Sequence, residues 1–598
     1  MLDSILKDSL LTGYDLIVIL FYFSFMFGVG FVFHHFNKDA SDYFRGGGKM
    51  LWWMVGATAF MTQFSAWTFT GAAGKAYQDG SLVAWIFIGN ALGFFGNYLY
   101  MSYRFRRMRV ITAVEGVRDR FGAVNEQLFT WMQVPISIAY AGIWLNGLAI
   151  VAASFFGLDM EATIWTVGIV VVVMSVAGGS WAIVASDFIQ LLLLMAIAIV
   201  TAILALGHPA IGGIGGFLDK VPAHHFNWRM AEHSEFVYFW IITALIVQTF
   251  KLNNMYEGYR YLCVKNDKHA KWAALTASLL MLIGPVIWFI PPMAARIVQP
   301  DLASVFPELG NPAEGAYIFM GMQTLPVGML GLLACGLFAA TVSSMDSGLN
   351  RNAGIFVKNF YQPLLMRKAT GGHLLLVGKI TSAIFGILII LAALYINQLE
   401  DMPLFDIMIQ FGSLIAVPFA APLVLGMIIK RTPAWSAWST VLVGFAFSLF
   451  LKKWFNLSWI GLDDLSSRGK SDFDYIVSGI GNIVICSGWF FMTIAFHRYA
   501  PAKYVERVEE FFQRLATPVT SDDEPEKAND ARQSNTLAVL CYVYGGFILL
   551  LAVFVPNSMG GRLSYVFCGS LIAGVGAALH YVARKGAKKN EEVQDRPA

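Results

Sequence analysis

Blocks of about twenty apolar residues recur along the whole chain and constrain it more than any other feature. A helix rises about 1.5 Å per residue, so roughly 20 apolar residues cross the ~30 Å hydrocarbon core of a bilayer. Reading apolar windows against turn and charge punctuation gives fifteen expected spans: 14–33, 52–72, 81–101, 127–153, 162–178, 181–206, 235–256, 273–295, 325–350, 374–396, 403–428, 434–453, 473–495, 536–556 and 563–583. Of the 598 residues 57% are hydrophobic and only 14% charged, against about 25% charged in soluble globular chains. So little polar surface excludes a soluble enzyme, a secreted disulfide scaffold and a disordered chain. The expected fold class is an all-α polytopic membrane protein of about fifteen transmembrane helices.

Net charge is +3, far from the basic balance of a nucleic-acid binder. Cys263, Cys335, Cys486, Cys541 and Cys568 lie in or beside apolar blocks without a CxxC pair and read as small core residues. Met1–Tyr14 lacks a basic n-region, and Leu16–Phe33 is long enough to span, so no cleavable signal is expected. With the N-terminus outside and sides alternating, 30 of the 42 Lys and Arg fall on inside segments and 10 outside, with Lys251 and Lys379 in spans. That bias puts the C-terminus in the cytoplasm. The arginine-rich loop Tyr103–Phe121 reads as a topology anchor rather than a nucleic-acid site. Val505, Val508, Phe511/Phe512 and Leu515 fall at helical spacing and suggest an interfacial helix over Lys503–Leu515, followed by a flexible tether over Thr517–Asn535.

Spans two to six and seven to eleven form two consecutive groups of five, and an odd number makes the second group start on the opposite face. That is the topology of an inverted repeat, in which corresponding helices break near the midplane to hold ions and substrate. The expected division is 1–50 for an extra helix and loop, 51–206 and 235–430 for the two repeats, and 431–598 for peripheral helices with a cytoplasmic linker at 496–535.

The first helix of each group is therefore the place to look. Met61-Thr-Gln-Phe-Ser-Ala-Trp-Thr-Phe-Thr-Gly71 mixes hydroxyl, amide and small residues in mid-span. Either a break near Met61–Ser65 frees carbonyl oxygens for a hard cation such as Na⁺, or the helix is continuous with a polar packing seam. In Ala339-Ala-Thr-Val-Ser-Ser-Met-Asp-Ser-Gly-Leu-Asn350, Ala340, Ser343, Ser344 and Ser347 share a helical face that Asp346 borders. An intramembrane aspartate is expensive and points to function. Asp187 and Gln190 stand three apart after Gly178-Gly179; Asp187 is either functional or a helix N-terminal acid.

On these residues the chain resembles the sodium/solute symporter family, which contains the sodium–glucose transporters and bacterial sugar, sialic acid and proline symporters. The resemblance runs from about Ser41 to Lys430. It rests on Asp42-Tyr-Phe-Arg-Gly-Gly-Gly-Lys with Trp52-Trp, Phe64-Ser-Ala, Gly71-Ala-Ala-Gly74, Glu115-Gly-Val-Arg-Asp-Arg-Phe-Gly122, the Asp187/Gln190 segment, Tyr259-Arg-Tyr-Leu and, most specifically, Ala340-Thr-Val-Ser-Ser344.

What the resemblance implies is a LeuT-type five-plus-five fold with a main Na⁺ site of Met61, Phe64 and Ala340 backbone oxygens and the Ser343 and Ser344 hydroxyls. It also implies a possible second cation site around Asp187 and Ser347, with Asp346 where a hydroxyl is expected. Positions that contact sugar in galactose-transporting members fall on Gln63, Thr68, Asn90 and Asp406, with Trp67 where such members have an acid and Phe250 near an inner gate position. Trp67 and Phe250 serve equally well as packing residues. The expected function is Na⁺-coupled symport of a small polar organic solute, sugar-like first, with an amino acid, sialic acid or amine as the alternative class. A transporter-like sensor and an uncoupled facilitator are the rival functions. The expected partners are the solute, Na⁺ and the bilayer, with no nucleic acid and no obligate protein partner, in a bacterial inner membrane. No enzyme is expected, since His34-His35 and His224-His225 read as solvated loop pairs. Asn456-Leu-Ser458 is an outside glycosylation sequon of consequence only in a eukaryote.

Overall fold

The computed structural model describes residues 11–34, 46–177, 180–230, 233–307, 309–399, 402–462, 464–520 and 530–594. The Asp42–Arg45 part of the resemblance, the Gly178-Gly179 pair, His35 and the middle of the expected tether lie outside the described residues. Every expected span falls on helix. Eleven helices among the described residues are long and apolar enough to cross a membrane. The other four expected spans lie on the interrupted helix that starts at Trp52, on Met160–Ala177, on Val237–Leu252 and on Ser436–Lys453.

The two groups of five interlock through exchanged pairs. Trp52–Met61 packs on Asp267–Trp288, and its counterpart Val237–Leu252 packs on Ala84–Gly96. Likewise Ser180–Leu206 packs on Met329–Ile355, and Ala123–Phe156 on Leu404–Phe411. Exchange of this kind is what an inverted repeat requires, because each half fills its core with the other's helices. Gly56 permits the first of these contacts: a Cβ there would stand 2.9 Å from the Ala273 carbonyl oxygen. Outside this core, Gly13–His34 lies against Ser180–Leu206 and Met329–Ile355, Ser436–Lys453 pairs with Ser467–Met492, and Asp530–Phe554 forms a hairpin with Met559–Gln594. Outward-facing stripes are apolar. Leu376, Ile380, Ile384, Ile387 and Leu391 form one such exposed row, as expected where the surrounding solvent is lipid.

Two sequence expectations change here. The amphipathic helix, Ala502–Ala516, is not free to lie in the lipid interface: Tyr504, Val508, Phe511 and Leu515 are buried against protein. The arginine-rich loop holds it. Arg107 Nη1 donates to the Leu515 carbonyl at 2.9 Å, Arg120 Nη1 to Tyr504 Oη at 2.8 Å, and Arg514 pairs with Asp119. Other arginines of the loop collect backbone carbonyls, Arg104 that of Met427 and Arg106 that of Val264. These guanidiniums therefore staple one face of the bundle as well as marking it, and it is called the basic face below. Secondly, His225 is fully buried rather than solvated. It packs on Gly80, whose φ of 66° favours glycine and where a Cβ would stand 2.3 Å from the His225 Cα.

Candidate functional site

The helix that begins at Trp52 ends at Met61 and resumes at Ala66. No proline or glycine lies between them. The interruption is made by Ser65, which is extended (φ −155°, ψ 176°) and whose hydroxyl accepts from Trp67 N–H as an N-cap. The second half is pinned from across the molecule, with Ala66 N–H donating to Thr341 Oγ1 at 2.8 Å. Of the two readings the sequence left open, the structure takes the break.

The carbonyls released there meet the serine pair. Ser344 Oγ lies within 3.3 Å of the carbonyl oxygens of Met61, Phe64 and Ala340 and donates to this group. The neighbouring Ser343 hydroxyl is 1% exposed and has no hydrogen-bond partner of ordinary geometry, beside the Asp187 carboxylate. Three carbonyls and a hydroxyl gathered together, with a second buried hydroxyl on the adjacent residue, suit a hard cation that replaces its water with protein oxygen. The donor set fits Na⁺: Met61, Phe64, Ala340 and Ser344 are brought together, and Ser343 adjoins them in the chain with its hydroxyl beside Asp187.

The three residues of the possible second site are not brought together. Asp187 accepts a hydrogen bond from Thr58 and lies 4.0 Å from the Arg260 guanidinium, which in turn donates to Ser347. A protein cation thus stands between Asp187 and Ser347. Asp346 points to another side of the same helix, accepts from Ser175, and lines a separate cavity of about 280 Å³ with Met26, Phe27 and Phe31. Gln190, three residues after Asp187, donates to Tyr22 Oη at 3.1 Å.

Beside the break a cavity of about 160 Å³ extends toward the basic face. Of the expected solute contacts it exposes Gln63, Trp67 and Asn90; Thr68, Phe250 and Asp406 do not line it. Thr68 is buried, Phe250 packs against the core, and Asp406 sits in the first turn of Leu404–Phe411. Residues that the sequence reading passed over do line it: Gln133, Ser137 and Tyr140 from Ala123–Phe156, Gln248 and Lys251 from Val237–Leu252, and Glu257 and Arg351 at its basic-face end. A lone lysine in an expected span was the available signal for Lys251. Gln63 Nε2 donates to Glu257 at 3.0 Å, and Arg351 approaches the same carboxylate at 4.0 Å.

Toward the opposite face the path is shut in two layers. Trp67 stacks on Phe405 (5.7 Å, 11°) and Phe87 (6.4 Å, 28°), and its Nε1 donates to the Leu404 carbonyl at 3.2 Å. Glu314, in the turn before Ala316–Thr324, accepts from Leu404 N–H at 2.8 Å. Burial pushes its carboxyl up to about 7. Beyond that layer Arg468 grips Asp79 with two nitrogens at 2.6 and 2.7 Å, while Lys75 reaches the same carboxylate at 2.8 Å. Beside them His225 is held neutral, burial pulling its imidazole down to about 4.

The sodium:solute symporter family model matches residues 43–444. The chain is 27% identical over 499 residues to the sodium/sialic acid symporter SiaT of Proteus mirabilis, an alignment covering 81% of this chain and 95% of that one. It is also 27% identical over 471 residues to a sodium/glucose cotransporter of Vibrio parahaemolyticus, covering 73% and 85%. A solved Na⁺-coupled sialic acid symporter, substrate-bound and outward-open, superposes with a TM-score of 0.66 at 22% identity, covering 81% of this chain and 98% of that one, and it carries the LeuT-like fold. Carbonyls gathered at a helix break, a fold of interlocked repeats and a family match across most of the chain converge: the protein belongs to the sodium:solute symporter family, and its coupling ion is Na⁺.

Proposed function

We propose that the protein uses the Na⁺ gradient to import a small polar organic solute by alternating access, a sugar or sugar-like compound first among the candidates. The carrying observation is the convergence of Met61, Phe64 and Ala340 carbonyls on Ser344 beside the buried Ser343 hydroxyl. These groups belong to opposite repeats, so an ion among them ties 51–206 to 235–430 while the peripheral segments 1–50 and 431–598 stay outside the exchange. Relatives named for sialic acid and glucose support a polyhydroxylated solute, and Gln63 and Asn90 in the cavity offer amides to its hydroxyls. With the basic face cytoplasmic and both termini oriented as the lysine and arginine bias gives, N outside and C inside, the closed layer at Trp67 and Asp79 faces outward and the cavity inward. Bacterial relatives support a bacterial inner membrane.

Coupling supplies useful work. One charge crossing 100 mV gives about 2.3 kcal/mol, and a tenfold Na⁺ gradient about 1.4 kcal/mol. Together they sustain an accumulation on the order of several hundredfold. Proteoliposomes loaded with K⁺ and diluted into Na⁺ should concentrate one solute of a panel of hexoses, sialic acid, amino acids and amines, and should not do so in K⁺ on both sides. Equal, non-concentrative entry with and without Na⁺ would instead identify a facilitator, and Na⁺ binding without any flux a sensor.

A further inference from the structure

Lys251 is a lone ammonium placed inside the cavity wall, a costly position that calls for a counter-charge. Its Nζ has one weak contact, Gln248 Oε1 at 3.4 Å, and lies 5.8 Å from the Tyr140 ring centroid. Among the described residues no carboxylate comes within ion-pair distance of it. The ionisable residues lining the cavity, tyrosines aside, are Lys251, Arg351 and Glu257, and Glu257 is engaged by Arg351 and Gln63. The lining therefore carries one positive charge in excess, and Glu257 acts on Lys251 only from beyond ion-pair distance.

A second polar group converges on the same spot. Tyr140 Oη is buried without a hydrogen-bond partner. Gly412 brings the two together: a Cβ built there would stand 3.0 Å from Lys251 Nζ and 3.7 Å from Tyr140 Oη. Lysine and phenol thus flank a patch of bare backbone where the π-helical segment Gly412–Ala416 begins, with Trp144 stacked on Tyr140 (6.0 Å, 29°) as an apolar wall. An ammonium and a hydroxyl donor, side by side and otherwise unoccupied, match the two oxygens of a carboxylate.

We infer that Lys251 and Tyr140 form an anion subsite that holds the carboxylate of the transported solute, so that this transporter takes organic acids in preference to neutral sugars or amines. The inference rests on the symport reading above and narrows its substrate class. The full-length protein in detergent would be titrated with N-acetylneuraminate against its methyl ester, D-glucuronate against D-glucose, and D-gluconate against sorbitol, in NaCl and in KCl. Binding is read as thermal stabilisation.

At least one acid should bind tenfold or more tightly than its neutral counterpart in Na⁺. Lys251→Met should abolish that preference, Lys251→Arg should keep most of it, and Tyr140→Phe should weaken the acid about threefold. Each variant should keep its stabilisation by Na⁺ alone, which shows that it is folded. Neutral counterparts binding as well as the acids, an acid preference that survives Lys251→Met, or no response to any acid while Na⁺ still stabilises would each overturn the subsite and leave symport standing. Absence of any Na⁺-specific stabilisation in the wild type would overturn the symport reading itself.

Discussion

Ser343 and Ser344 are adjacent hydroxyls that the structure places in unequal energetic situations, and replacing each by alanine separates them. Ser344 Oγ donates among three carbonyls when no ion is present, so Ser344→Ala removes a satisfied buried hydrogen bond as well as a cation ligand. That loss is about 0.5–1.5 kcal/mol in the ion-free protein. Ser343 Oγ is buried with only the Asp187 carboxylate beside it and no hydrogen bond of ordinary geometry, so Ser343→Ala removes less that the ion-free protein uses. In the proposed site both variants lose one of the five oxygens offered to Na⁺. An interaction with a charge is worth about 1.5–3 kcal/mol, which converts to roughly ten- to hundredfold in Na⁺ affinity.

At saturating Na⁺ each tenfold loss of affinity removes about 1.4 kcal/mol of ligand-linked stabilisation. Thermal unfolding of purified protein, titrated with NaCl at constant ionic strength with choline chloride, reads both quantities. The ion-free transition of Ser343→Ala should fall less than that of Ser344→Ala, and both half-saturating Na⁺ concentrations should rise at least tenfold. A Ser343→Ala titration that superposes on the wild type would refute the site. An ion-free transition lowered as far as in Ser344→Ala would refute the claim that Ser343 is the less engaged of the two hydroxyls.

Four further outcomes follow from the closed layers and the docked helix. Arg468→Gln leaves Asp79, which is 4% exposed, with Lys75 as its remaining cation and should favour opening of this layer by roughly 1–2 kcal/mol, below the ~3–5 kcal/mol of a buried charge left unpaired. A cysteine placed at Phe405 should then react faster with an impermeant thiol reagent, and an unchanged rate would remove the pair from the gate. Glu314 has a folded-state pKa of about 7, above its ordinary value, so the folded protein holds the extra proton. Its contribution is complete below about pH 4.5 and is lost as pH rises through about 7, up to about 3 kcal/mol. Glu314→Gln should therefore flatten the decline in thermal stability over that window. His225 runs the other way: with its pKa lowered to about 4, stability is lost as pH falls below about 6.5, and His225→Asn should flatten that acid limb. Tyr504→Phe removes the hydroxyl that accepts from Arg120 and donates to the Thr432 carbonyl at 2.9 Å, about 1.5–3 kcal/mol for a charge-assisted contact. Faster amide exchange across Ala502–Ala516 would report the undocking, and unchanged exchange would show that apolar packing alone holds the helix.

What the sequence determined by itself is the part of the protein written in local chemistry. Helix positions follow from runs of apolar residues, because each run must satisfy its own backbone in lipid and only a helix does so within one segment. The polar stretches Met61–Gly71 and Ala339–Asn350 were legible as motifs, and so was the two-by-five order of spans. Tertiary structure decided whatever depends on which helix faces which. Ser344 and the Met61 carbonyl are separated by 283 positions, so their contact exists only once the repeats interlock. The same packing divided Asp187 and Ser347 from Asp346, since consecutive helical positions point about 100° apart and the neighbours on each side differ. It buried His225 against Gly80, and it turned the apolar face of Ala502–Ala516 toward arginine-stapled protein, a face that lipid would have satisfied equally well by composition. It also set Lys251 and Tyr140, from opposite repeats, around the bare backbone of Gly412. Hydropathy records how much apolar surface a segment must hide, but the partner that hides it is fixed only by the packing of distant segments.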